Sequence, residues 1–299
     1  MKLVGNISRG SILNGVHKDS MTVEFIPGII EGGMHTAGGS LPLNHNRKTD
    51  RNEDPGTAGS TTLLLQISLP LLLFAPPRPD GFTLQPQLSK LSLRGGTNAI
   101  QAPQIEYTQH VFLPFLSSRF NLASNISLEI RKHGYYPKGG GEISIEVHST
   151  TKPIPAIELL DHGDLLRVEG KAFAAGLPKA VAVGMKDAAS SFLQRKGIDP
   201  SMIDIEVVRE SPADAVGAGS GIVLWATTTN GCVLGGSSIG KKGIDTKDVG
   251  TEAAEELWRG LEKGGCVDEY LQDQMIFFLA LAEGTSRVRV GWPLELHTQ

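Results

Sequence analysis

Cysteine is scarce in this chain. There are two, Cys232 and Cys266, in 299 residues. That excludes a disulfide framework and suits a reducing compartment. Neither cysteine has the paired spacing of a zinc site. An excess of one charge is also missing: the formal net charge is −4. The whole-molecule field therefore does not mark a nucleic-acid binder, and any such site must be a local patch or a pocket. No apolar run reaches the ~20 residues that span a bilayer. The longest, Leu63 to Ala75, is interrupted by Gln66, Ser68 and Pro70 and reads as a buried core helix. The first residues, Met1-Lys-Leu-Val-Gly-Asn-Ile-Ser8, lack the apolar core of a signal peptide. Walker loop, dinucleotide fingerprint and nucleophile elbow are all absent. The eight histidines include His133 and His297, and none pairs with another at metal-ligand spacing.

What is present is ordinary in bulk and unusual in one place. Apolar residues make up 40% and charged residues 20%, the balance of a globular protein with one large domain or two ordinary ones. The unusual place is Arg131-Lys-His-Gly-Tyr-Tyr-Pro-Lys-Gly-Gly-Gly-Glu142. Alternating segments flank it, 125–130 before and 142–147 after, and predict an antiparallel strand pair joined by a tight glycine turn. Three consecutive glycines lose much backbone entropy on folding, so a close backbone approach or positive φ angles are expected there. A plain hairpin loop fits the same residues.

Along the chain, residues 21–26 alternate as a strand for which nothing upstream supplies a partner. Residues 36–57 form a polar loop, with Arg47, Lys48 and Arg51 offset by Asp50, Glu53 and Asp54. Ser60 is placed to cap the apolar helix, whose one amide side chain, Gln66, needs either a backbone partner or a ligand. A strand over 88–94 leads into the turn Gly95-Gly-Thr-Asn98. Pro103 is placed to start a helix running to about Phe120. Strands are expected at 165–173 and 204–208, with a hairpin over 221–236 turning at Asn230-Gly231 in a type I′ turn. Helices are expected over 179–195 and 249–262. The last helix opens on Asp268, Glu269, Asp273 and Gln274, and the three acidic residues among them suit its dipole. A strand over 286–291 follows.

At these residues the chain resembles the RNA 3′-terminal phosphate cyclases. The likeness rests on His133-Gly-Tyr-Tyr-Pro-Lys-Gly-Gly-Gly141, on Thr57-Ala-Gly-Ser-Thr-Thr-Leu-Leu-Leu-Gln66, and on Gly95-Gly-Thr-Asn98 with Ala102-Pro-Gln104. It also rests on Asp268-Glu-Tyr-Leu-Gln-Asp-Gln274 and the terminal Leu296-His-Thr-Gln299. The resemblance implies an α+β fold, with repeated βαβαββ units forming a large domain (1–154 and 266–299) and a four-strand, two-helix α/β domain (155–265) inserted into it. It implies an ATP-dependent ligase acting on RNA 3′-phosphate ends and using a divalent metal, Mg or Mn. By position, His297 corresponds to the nucleophile that attacks the α-phosphate of ATP. Gln66, Pro103, Tyr270, Asp273 and Gln274 correspond to the ATP site, with Tyr270 at the base or sugar and Asp273 beside the nucleophile. Such a cyclase would act in the nucleus, or otherwise in the cytoplasm, and not on a membrane or outside the cell.

The chain also departs from the family pattern. Family members begin with a Glu-Gly-Gly-Gly-Gln segment and an arginine-rich stretch, and continue past the nucleophile into a closing helix and strand. None of these is found, so the chain is expected to be truncated at both ends. Lys138, Arg94 and Lys132 are the cations that could stand in for the missing arginines. Two other readings stay open: a non-catalytic cyclase-like binding protein of ribosome biogenesis, and an inactive fragment.

Overall fold

The computed structural model describes residues 2–17, 20–37, 59–80 and 83–291. The polar loop expected over 36–57 lies almost wholly outside the described residues, and so does His297. Two mixed layers of sheet and helix make up an α+β fold.

The first sheet has five strands. Its centre is β-strands Leu88–Gly95 (β2), Ile126–Gly134 (β3) and Gly141–His148 (β4), with Met34–Ala37 (β1) on one edge. β4 pairs antiparallel with both β2 and β3, and β1 runs parallel to β2. On β4 the alternation is strict: Ile143, Ile145 and Val147 are buried and the residues between them are half-buried. The buried face meets helix α1, Thr61–Leu73, through Leu65, Leu69, Leu72 and Leu73. Ser60 caps α1 by accepting from the Leu63 amide (3.2 Å). Each fully buried leucine contributes roughly 1.5–3 kcal/mol.

The next helical segment begins at Ile105, two residues after the proline expected to start it. Ile105–Tyr107 (α2) passes through a wide turn, Thr108–Phe112, into Leu113–Arg119 (α3). The wide turn is a π-type bulge, a feature frequent near functional sites.

The second sheet has the order Ile203–Glu210, Leu165–Ala175, Gly219–Thr228, Val233–Ile239. In chain order these strands are β5 (165–175), β6 (203–210), β7 (219–228) and β8 (233–239). β5 is parallel to β6 and antiparallel to β7. Helices Lys179–Arg195 (α4) and Thr246–Glu262 (α5) cover one face. The other face rests on α2 and its wide turn: Tyr107 and Val111 lie over Gly235, and His110 stacks on Trp225 at 4.0 Å. Glu269–Leu281 (α6) follows and packs beside α1.

Three expectations change. The 21–26 segment does have an upstream partner, because Glu24–Ile26 pairs antiparallel with Ile12–Asn14. The Asn230-Gly231 turn is not type I′: only Gly231 has positive φ (70°), and its amide bonds to Thr228 O (2.9 Å). Thr229 and Asn230 are thus the central pair, followed by a left-handed glycine, the three-residue alternative to a two-residue hairpin. The expected strand over 286–291 shrinks to Arg287–Val288, which pairs in parallel with Glu158–Leu159.

The glycine stretch is less of a turn than expected. Arg131 to Gly134 finish β3, and only 135–140 form the turn, with positive φ at Gly139 and Gly140. The segment is also where the two sheets meet. Ala215–Val216, just before β7, pairs in parallel with His133–Gly134 and forms the fifth strand of the first sheet. A methyl group on Gly134 would collide with the backbone of Gly141 and Gly95. Gly134→Ala should therefore lower stability by ~2 kcal/mol or more, since the obstructing atoms are main chain and cannot rotate away. Urea unfolding of the variant checks this.

Candidate active site

Three sequence-distant segments converge at the N-terminal half of α6. Gln66, on α1, donates from Nε2 to Asp273 Oδ2 (3.3 Å). Gln274 Nε2 donates in turn to Gln66 Oε1 (3.4 Å). The three side chains form one polar group between two apolar helices. Gln274 is buried, and its Oε1 finds no hydrogen-bond partner among the described residues. A buried carbonyl left open in this way favours a donor that the described residues do not supply.

Pro103 lies on the loop between β2 and α2. It is buried, and its carbonyl accepts from Thr62 Oγ1 on the first turn of α1 (2.7 Å). Tyr270 is half-buried, edge-on to Tyr107 with ring centroids 5.6 Å apart. It forms one wall of a cleft of about 140 Å³. The loop residues Ala99 and Ile100 make a second wall, and Ser238, Lys241 and Glu252 of the second sheet's layer make a third. Small-molecule pockets are commonly ~300–1,000 Å³, so this cleft suits one part of a nucleotide rather than the whole. Pro103 itself does not line the cleft, although its neighbours Ala102 and Gln104 do, and Gln66, Asp273 and Gln274 form a separate group further along α6.

Asp268 sets the start of α6. Its Oδ1 accepts from the Leu271 amide (2.9 Å) and from Tyr107 OH (2.6 Å), and its Oδ2 accepts from the Gly235 amide (2.7 Å). One buried carboxylate thus joins α6, α2 and β8. Burial pushes its pKa up against those hydrogen bonds. Nearby Glu256 on α5 is pushed up to about 8, first by burial and then by the charge of Asp268.

A second buried polar group runs behind the loop. Asn98 Nδ2 donates to Gln104 Oε1 (3.1 Å) and Glu106 Oε2 (3.0 Å). Gln104 Nε2 reaches the carbonyls of Ile222 and Ser238 in the second sheet. His133 stands between two buried carboxylates, with Nε2 2.9 Å from Glu106 Oε1 and Nδ1 3.0 Å from Glu210 Oε1. Tyr135 OH donates to Glu210 Oε2 (2.7 Å), and Lys171 Nζ lies 3.7 Å from Glu106 Oε1. The contacts to the ring are off-axis: His133 Nε2, Glu106 Oε1 and Glu210 Oε1 have no aligned hydrogen bond among the described residues.

Glu106, His133 and Glu210 are close enough to one another to hold a metal ion. Two observations favour a proton instead. The carboxylates face opposite ring nitrogens, and a single ion takes only one of these. The Lys171 ammonium beside Glu106 would also repel a dication. Two carboxylates, an imidazolium and an ammonium balance in charge. Burial alone would lower the His133 pKa, but the two carboxylates outweigh it and bring it to about 9. Glu106, despite burial, is held down to about 2 by His133 and then Lys171.

A family model described as RNA 3′-terminal phosphate cyclase matches residues 1–299. The chain belongs to this family. It is 35% identical over 301 residues to the RNA 3′-terminal phosphate cyclase of Drosophila melanogaster, covering 100% of this chain and 74% of that one. It is 35% identical over 280 residues to the cyclase of Caldivirga maquilingensis, covering 93% of this chain and 70% of that one. A probable cyclase of Dictyostelium discoideum is 35% identical over 249 residues, which is 82% of this chain and 54% of that one. The chain thus spans about half to three quarters of the length of these relatives.

For this cyclase-family chain the sequence marked Gln66, Pro103, Tyr270, Asp273 and Gln274, and all five lie on the segments that meet around α6. Glu106, Glu210 and Asp268 were not singled out for a site. Asp268 read as a helix-dipole residue. The two glutamates carried no local pattern, because their partner His133 is remote in sequence.

Two outcomes are expected. Asp268→Ala should cost about 3 kcal/mol, because it leaves the Tyr107 hydroxyl and two amides unpaired in the interior. Tyr107→Phe, which removes one of these bonds, should cost about 1 kcal/mol. Chemical denaturation separates the two. For pH, His133 titrates near 9 folded and near 6.5 unfolded, so its contribution is complete below pH ~6.5 and is lost as pH rises through ~9. The loss is at most about 3 kcal/mol. Glu256, raised to about 8, has the same sign over pH ~4.5 to 8. The difference between wild type and His133→Gln across pH 6–10 therefore isolates His133, and it should shrink as pH rises.

Proposed function

We propose that this chain carries out ATP-dependent cyclisation of RNA 3′-phosphate ends through His297. The observation that carries the reading is the convergence of Gln66, Asp273 and Gln274 beside the cleft bounded by Tyr270. The same side chains correspond by resemblance to the family's ATP site. The reading also takes 155–265 as a domain inserted between the two parts of the large domain.

The chemistry follows from the electrophile. A phosphate monoester is a poor acceptor until it carries a good leaving group, and covalent catalysis divides its activation into easier steps. His297 attacks the α-phosphorus of ATP, the bond to the β-phosphate oxygen breaks, and pyrophosphate leaves. AMP then passes from the histidine to the RNA 3′-phosphate. The adjacent 2′-hydroxyl attacks that phosphorus, a 2′,3′-cyclic phosphate forms, and AMP departs. The need for a 2′-hydroxyl restricts the substrate to RNA.

In this reading Tyr270 stacks on the base or sugar across from the Pro103 loop. Gln66 and Gln274 supply amide donors near the α-phosphate, and Asp273 orients the imidazole. Mg or Mn would enter with the triphosphate, and no protein ligand is assigned to it. The described chain stops at Gly291, which lines a small hollow with Asp268, Glu269 and Tyr270 at the start of α6. Nuclear action is part of the same reading.

Incubation with α-labelled ATP and Mg or Mn should leave label on the protein, and His297→Ala should abolish it. Gln274→Ala should reduce labelling about tenfold or more, the loss of one donor made in the transition state. A folded wild-type protein that takes no label would refute the reading. Copurification with pre-ribosomal particles in the absence of labelling would favour the binding-protein alternative.

A further inference from the structure

The glycine stretch lies outside the group around α6, yet its histidine is the most heavily charged buried position described. Its partners come from both layers. Glu106 belongs to α2, directly after the loop that walls the cleft, and Glu210 ends β6 in the second sheet. His133 itself ends β3, where its amide bonds to Asp214 O (2.8 Å). The charged groups facing the ring from these elements are Glu106, Glu210 and Lys171, with the Tyr135 hydroxyl bonded to Glu210.

The loop is tied into the same group. Asn98 bonds to Gln104 and Glu106 at once, and Thr97 exchanges bonds with Gly134: the Gly134 amide donates to Thr97 Oγ1 (3.0 Å), and the Thr97 amide donates to Gly134 O (3.1 Å). Between these fixed ends Gln101 has φ of 61°, a left-handed conformation that a glutamine seldom adopts. Such backbone persists where its surroundings over-determine it.

We propose that His133 is a positioning residue for the nucleotide site: as an imidazolium between Glu106 and Glu210, it fixes the 97–107 segment against the second sheet and so sets the wall opposite Tyr270. The role of that wall in ATP binding rests on the proposed function; the fixing itself does not. His133 touches no substrate and acts through Glu106. Without its positive charge the two buried carboxylates face each other with only Lys171 near one of them, and the charged tie between the segment and β6 is lost, leaving Gln104 and Tyr107 as its remaining holds on the second sheet.

The test uses the full chain and three variants: His133→Gln, Glu210→Gln and the double variant. Nitrogen NMR of the imidazole should show both His133 nitrogens protonated at pH 8. Amide exchange at 97–107 should quicken about tenfold or more in His133→Gln. The double variant has no orphaned carboxylate at 210, so it should regain part of the lost unfolding midpoint. It should not regain slow exchange at 97–107, because the bridge is gone. The dissociation constant for ATP should rise about tenfold in His133→Gln and in the double variant.

A neutral His133 ring at pH 8 would overturn the proposal, as would one equivalent of bound divalent metal in the purified protein. Unchanged exchange at 97–107 in folded His133→Gln would do the same. Recovery of both midpoint and slow exchange in the double variant would reduce His133 to a stability role and also overturn it. If wild type binds no ATP, the proposed function fails on that arm, while exchange and NMR still decide the clamp.

Discussion

Placing a carboxylate away from water is costly unless an opposite charge comes with it. This chain buries Glu106 and Glu210 close together, and much of its architecture follows from neutralising them. His133 must then lie between them, which fixes the end of β3 against α2 and β6. The residues around the group supply its remaining bonds: Asn98 donates to Glu106, the Tyr135 hydroxyl donates to Glu210, and the Gly134 amide donates to the Thr97 hydroxyl. Gly134 and Gly141 lack side chains because the strands around this group approach to backbone contact. Gly95-Gly-Thr-Asn98, Ala102-Pro-Gln104 and the glycine stretch look like separate signatures in the sequence. In space they are contiguous parts of one polar interior.

A third buried carboxylate does similar work on the other side of α2. Asp268 holds the first turn of α6, Tyr107 and β8 together through hydrogen bonds from the Tyr107 hydroxyl and the Leu271 and Gly235 amides. The two buried groups grip the short helix α2 at adjacent residues, one through Glu106 and the other through Tyr107. The wide turn that follows carries His110 onto Trp225. The cleft beside Tyr270 is therefore bounded by parts held by buried polar contacts, some behind it and some made by lining residues such as Gln104 and Ser238.

The regular elements were largely legible in the sequence, for local reasons. Apolar periodicity marked 179–195 as a helix, and alternation marked the strands on both sides of the glycine stretch. Ser60 was recognisable as a cap because capping involves residues only three apart. Legibility failed where the deciding contact was remote. No local pattern pairs Glu24–Ile26 with Ile12–Asn14, and Asn230-Gly231 carries the composition of one turn while forming another. Among site residues, Gln66 left two partners open, backbone or ligand, and its observed partner Asp273 is 207 residues away. Resemblance brought these residues together where spacing could not. It did not point to Glu106 and Glu210, which bear on the shape of the site from behind it.

The short pairing of Ala215–Val216 with His133–Gly134 has a consequence for the order of assembly. The first sheet is complete in sequence by residue 148 except for this last strand. During synthesis the edge of β3 stays open until roughly seventy more residues have been made, because its partner lies beyond β6. The waiting edge presents free backbone groups that any passing strand can pair with. Closure needs residues 210–216, and the same stretch delivers Glu210 to His133. One late-made segment thus both extends the sheet at the end of β3 and neutralises the buried charge of His133.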